Sequence, residues 1–131
     1  LQPQDAKVLI NTLDLNSYRD FLCVARQSMY LLKERGNENT VSSVIHMLDE
    51  LTSTQEGLRL WLIFGYGVKY LERVSGQQFW NPEYPHGVTD QSEMHRHTLL
   101  ELEETVQKIH VWWDANKNTF PSQLMIGQDE G

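Results

Sequence analysis

The chain has 131 residues, 40% hydrophobic, 10% aromatic and 22% charged, with a formal net charge of −7. A chain of this size hides roughly two-thirds of its unfolded surface on folding, so it is expected to build one core without help from metals or disulfides. Its single cysteine, Cys23, excludes an intramolecular disulfide and a multi-cysteine zinc site, and the acidic balance disfavours binding to a phosphate backbone.

Helical periodicity dominates from the start of the chain. Ala6, Leu9, Ile10 and Leu13 are spaced as one face of a short helix that opens near Pro3, a residue tolerated in a first turn. Leu15, Tyr18, Leu22, Ala25, Met29 and Leu32 alternate by threes and fours, with Arg19, Arg26 and Lys33 off the stripe. This predicts an amphipathic helix over about 17–35, with Ser17 and Asp20 as a capping box and Gly36 as its stop. A third helix follows, with Val41, Val44, Ile45, Leu48 and Leu51 inward, Asn39 or Thr40 as its cap and its end near Thr52. Ser53 and Glu56 form another capping-box pattern, opening a helix of about 54–75.

That fourth helix is apolar around most of its circumference: Leu58, Trp61, Leu62, Phe64, Val68 and Leu71. Such a helix belongs inside a bundle, and Gly65 and Gly67 fit it if a neighbour passes close, since each costs about 1 kcal/mol of helix propensity relative to Ala. After Gly76, the stretch FWNPEYPHG over 79–87 reads as a loop stiffened by Pro82 and Pro85. Asp90 and Glu93 then cap a long helix to about 116, whose stripe is His95, Leu99, Leu102, Val106, Ile109 and Trp113, with Trp112 flanking it. No strand pattern or internal repeat competes.

The expected fold is therefore all-α: one domain over 1–131, a bundle of four main helices plus a short N-terminal helix. Short connections favour an up-and-down arrangement, with an irregular orthogonal array as the alternative. Residues 1–4 and 119–131 are expected to be mobile tails. The longest uncharged apolar run, Leu60 to Val68, falls far short of the roughly 20 residues that cross a bilayer, so no membrane span is expected. With one cysteine and no visible signal peptide, the expected location is intracellular, cytoplasmic or nuclear.

Chemistry-bearing residues form no catalytic signature. None of the five histidines sits three residues after a glutamate within a helix; only His86 follows one, Glu83, in the proline-interrupted loop. His46 and Glu50 on one helix, and Glu93, His97 and Glu101 on another, share helical faces and could converge on a metal; a solvated polar stripe is the simpler reading. Cys23 lacks a nearby histidine or helix start and is read as idle, and the Gly65–Gly67 pair lacks the Lys-Ser/Thr of a phosphate loop. Neither a cofactor nor a catalytic residue is expected.

Aromatic residues offer more. Ile63, Tyr66 and Tyr70 form a second face on the fourth helix, beside Arg59 and Arg73, a composition common in binding hot spots. Phe79, Trp80 and Tyr84 either cover that face as a lid or join it, with Trp112, as a docking surface; the lid is favoured, because so much exposed aromatic area invites association. From residue 77 onward there are three basic residues (Arg96, Lys108, Lys117) against nine acidic ones. The function expected is a non-catalytic helical protein–protein interaction module, an adaptor, inhibitor or regulatory or assembly subunit. Its partner is another protein, with a basic face favoured by charge, or a second copy in a homodimer; nucleic acid is not expected. The alternative is a metal- or small-ligand-binding helical enzyme built on His46, Glu50, Glu93, His97 and Glu101.

Overall fold

A computed structural model describes residues 3–11, 22–54, 61–80 and 91–124. Within them the chain is all-α: α1 (Pro3–Asn11), α2 (Leu22–Arg35), α3 (Val41–Ser53), α4 (Trp61–Ser75) and α5 (Gln91–Asn116), with 3-10 turns at Glu38–Thr40 and Lys117–Thr119. There is no strand among the described residues, and no helix there is long and apolar enough to cross a membrane. The three capping-box patterns, at Ser17, Ser53 and Asp90, fall wholly or partly outside the described residues.

The helices bury one shared core. Ala6 and Ile10 come from α1, Met29 and Leu32 from α2, and Val41, Val44, Ile45, Met47, Leu48 and Leu51 from α3. Ile63, Phe64, Val68, Tyr70 and Leu71 come from α4, and Leu102, Val106, Ile109 and Trp112 from α5. Each Val, Leu, Ile, Phe or Met among them contributes about 1.5–3 kcal/mol when fully buried. The heaviest packing joins α2 to α4 and α3 to α5, with α3 also against α4 and α1 against α2. The strongest pairs are thus helices with one other helix between them in the chain, a finer order than connection lengths convey.

Two glycines have geometric reasons. Gly76 adopts φ 72°, the left-handed conformation that closes α4, and its N–H donates to the Glu72 carbonyl at 2.9 Å. At Gly67 α3 presses onto α4, so that an added Cβ would lie 3.0 Å from Met47 Cε, 3.1 Å from Leu48 Cδ2 and 3.4 Å from Val44 Cγ1. This is the close helix approach that the sequence suggested.

The end of α2 is held from outside. Arg73 of α4 donates from Nε to the Lys33 carbonyl at 2.8 Å, and from Nη2 to those of Gly36 at 2.7 Å and Leu32 at 3.2 Å. A cation on the last carbonyls of a helix satisfies orphan acceptors and opposes the negative end of the helix dipole. Beside it, the buried Tyr70 hydroxyl donates to the Asn37 carbonyl and meets Thr40 Oγ1, both at 2.6 Å. Thr40 precedes α3 as expected, yet its side chain makes no capping bond. A buried phenol needs partners, and Thr40 supplies one.

Three expectations need correction. Trp112, not Trp113, is the buried member of the tryptophan pair, because the inward stripe of α5 runs through Leu102, Thr105, Val106, Ile109 and Trp112. Pro3 and Gln4 belong to α1, which opens where its first-turn proline places it, and not to a mobile tail. Residues 120–124 are bonded to the start of α3 rather than trailing free: the Leu124 N–H donates to the Asn39 carbonyl at 2.8 Å.

Candidate functional site

Two aromatic regions flank α4, and they differ. The first is the stretch after Gly76. The Glu72 carboxylate, in the last turn of α4, accepts the backbone N–H of Phe79 at 2.8 Å and of Trp80 at 3.2 Å through Oε2. Its other oxygen meets Lys69 Nζ at 3.2 Å. The chain is thereby folded back so that the Trp80 ring lies 3.8 Å from where a Gly65 Cβ would be, and edge-on to Phe64 at 5.4 Å between centroids. Trp80 Nε1 donates to Glu101 Oε1 of α5 at 2.6 Å, satisfying its buried polar atom. Phe79 packs on Trp112 at 5.7 Å, and Trp112 and Trp113 pack on Phe120 at 5.5 and 5.3 Å.

Five of the seven positions expected at a docking surface therefore lie inside the molecule: Ile63, Tyr70, Phe79, Trp80 and Trp112 are each 8% exposed or less. Tyr66 is partly buried, and Tyr84 lies outside the described residues. The physical reason is that Ile63 and Tyr70 share the inward arc of α4 with Phe64, Val68 and Leu71, and the chain after Gly76 seals the rest.

The second region is the outward arc of α4, Leu62, Tyr66, Lys69 and Arg73, beside α2. Leu62 is 47% exposed, and the neighbouring Tyr30 and Leu31 of α2 are 45% and 43% exposed. With Arg26, Gln27 and Tyr66 they line an open groove of about 530 Å³. Tyr30 and Tyr66 meet edge to face at 5.5 Å, and Lys33 Nζ lies 4.4 and 5.1 Å from their ring centroids, within cation–π range. Sequence reasoning missed Tyr30 and Leu31 and put Leu62 in the core. A signal existed: Tyr30 and Leu31 are apolar where the Met29–Leu32 stripe calls for polar residues.

The proposed metal ligands stay in local pairs. His46 Nε2 lies 2.8 Å from Glu50 Oε1 on α3, and His97 Nε2 lies 3.9 Å from Glu101 Oε2 on α5, where Trp80 engages the other oxygen. Among the described residues no three His, Cys, Asp or Glu side chains come close enough to hold a metal; the side chains of Glu93 and Cys23 are not among those described. A cross-helix bond that no local spacing reveals joins His110 Nε2 to Asp49 Oδ1 at 2.7 Å. Near Glu101, Phe79, Trp80, His97, Leu100, Glu104, Thr105 and Lys108 line a smaller cavity of about 310 Å³. Along the outer face of α5, Leu100 (53% exposed) and Val111 (70%) are separated by exposed Glu103, Glu104, Gln107 and Lys108.

No family model matches the chain, and no curated protein or solved structure matches it either. The reading of function rests on surface chemistry alone.

Proposed function

We propose that the chain is a non-catalytic helical interaction module that docks another protein on the groove between α2 and α4. The observation that carries this reading is the joint exposure of Tyr30, Leu31 and Leu62 around one groove, in a molecule that hides even Trp80 and Trp112. A cluster of large apolar side chains ringed by polar groups is the usual composition of a protein-binding face.

Charge selects the partner. Although the whole chain carries −7, a net charge is screened over about 8 Å at physiological salt, so groups at the rim decide the fit. The rim here carries Arg26 and Lys33, with Glu34 Oε1 already 3.0 Å from Lys33 Nζ. The partner segment is therefore apolar, with a carboxylate placed to meet Arg26. The basic-faced partner expected from overall charge fits a different place, the acidic outer stripe of α5 around Leu100 and Val111.

The test is affinity capture from native lysate with three chains: the natural sequence, Leu31→Glu/Leu62→Glu, and His97→Ala. The reading predicts a retained protein that the double substitution loses and His97→Ala keeps. Retention unchanged by the double substitution removes this face from the account, and loss with His97→Ala alone moves the site to α5. Sedimentation of the same chains separates a foreign partner from a second copy.

A further inference from the structure

The last described residues, 120–124, lie against the protein as a bound peptide lies against a receptor. Lys117–Thr119 turns the chain off α5, and Phe120 is extended at φ −96° and ψ 155°, as a residue before proline favours. Phe120 then sets its ring edge-on between Trp112 and Trp113. Three residues on, the Gln123 amide bridges two strands of backbone: its Oε1 accepts the Ser42 N–H at 2.9 Å, and its Nε2 donates to the Glu38 carbonyl at 2.9 Å and to its own segment at Pro121 at 2.8 Å. Leu124 completes the set, donating its N–H to the Asn39 carbonyl at 2.8 Å and accepting Ser43 Oγ at 2.6 Å, with its side chain packed on the core.

The segment is a guest of the fold more than a part of it. None of residues 117–124 is buried: Phe120, Gln123 and Leu124 are half-buried and the others exposed. The groups that receive it belong to elements ordered by other contacts: Ser42 and Ser43 to the first turn of α3, whose Val41 and Val44 are fully buried, and Trp112 to the core stripe of α5. If the segment leaves, the Ser42 N–H faces water at a helix start, where such donors are often solvated. Pro121 keeps the segment extended when free, which lowers the ordering cost of binding. The recognition mode combines an aromatic anchor, backbone pairing and one specifying amide.

We propose that the groove between the start of α3 and the end of α5 is a peptide-recognition site that the chain fills with its own residues 120–124, and that a free segment of the same pattern, aromatic-Pro-x-Gln-aliphatic, takes the same place when the internal one is weakened. The site is separate from the α2–α4 face and does not depend on that reading. Tethering raises the local concentration of the internal segment to the millimolar range, so the natural chain masks its own site against weak competitors.

The experiment keeps the chain whole. A fluorescently labelled peptide of residues 119–125 is titrated with the full chain carrying Phe120→Ala/Gln123→Ala, and binding is read as anisotropy. The expected result is saturable binding to the substituted chain, at least about tenfold weaker binding to the natural chain, and about tenfold weaker binding of a peptide whose glutamine is replaced by alanine. Adding Ser43→Ala to the substituted chain weakens binding further. No saturation with a substituted chain of unchanged circular dichroism overturns the proposal, as does equal affinity for the alanine peptide. If the double substitution unfolds the protein, hydrogen exchange on the natural chain decides. The Leu124 amide must open far more often than the amides of Val44 to Leu51, and equal protection shows the segment to be an inseparable part of the fold.

Discussion

The two sides of α4 carry similar residues to different ends. On one, Trp80 and Phe79 lie over Gly65, Phe64 and Trp112, fastened by Glu72 and Glu101. On the other, Tyr30, Tyr66, Leu31 and Leu62 stay open beside Arg26 and Lys33. Aromatic content does not separate them. What does is whether the chain brings polar partners that let its backbone fold back as a cover. Glu72 does this on one side by accepting two backbone N–H groups that the turn leaves exposed to desolvation.

The difference predicts a gradient of effects. Trp80→Ala strikes the closed side hardest: it empties a buried ring site and leaves the Glu101 oxygen without its indole donor, so unfolding free energy should fall by about 3–5 kcal/mol, read from urea unfolding. Less costly is ionisation of Tyr70 on the inward arc of α4. Burial, partly offset by the Thr40 hydrogen bond and by Arg73, pushes its hydroxyl from about 10 up to about 12. Because the folded value is raised, the stability tied to the neutral phenol is fully present below pH 10 and is lost as pH rises through 12. The loss is on the order of 2–3 kcal/mol, and Tyr70→Phe should flatten that limb of the pH–stability curve. Glu72→Ala should cost about 1–3 kcal/mol by leaving the Phe79 and Trp80 N–H groups without their acceptor, and it should raise Trp80 quenching by acrylamide. Leu62→Ser on the open side should move stability by no more than about 0.5 kcal/mol while reducing partner capture. A Leu62→Ser chain as unstable as Trp80→Ala would erase the distinction.

Much of the fold was legible because it follows local rules. The stripes Val41–Val44–Ile45–Leu48–Leu51 and Leu102–Val106–Ile109 are buried as their spacing predicts, and Gly76 and Gly67 occupy a stop and a helix crossing. Long-range pairings were not legible. Nothing near Arg73 in sequence announces the end of α2, nothing near Gln123 announces the start of α3, and Asp49 and His110 are 61 residues apart. The candidate site suffered most, because α4 is apolar on nearly every side. Periodicity could not say which arc faces inward, so Ile63 and Tyr70 were read as a second face that needs a cover and Leu62 as core, whereas Ile63 and Tyr70 lie on the inward arc and Leu62 is exposed. Only the neighbouring helices settle that rotation.

Hydroxyl-radical footprinting of the free chain, read residue by residue, tests the division of the two faces most directly. The account predicts heavy oxidation of Tyr30, Leu31 and Leu62, with Phe79, Trp80, Tyr70 and Trp112 protected although aromatic rings are intrinsically more reactive than leucine. Trp80 oxidised as fast as Tyr30, or Leu31 and Leu62 protected in the absence of any partner, would contradict it.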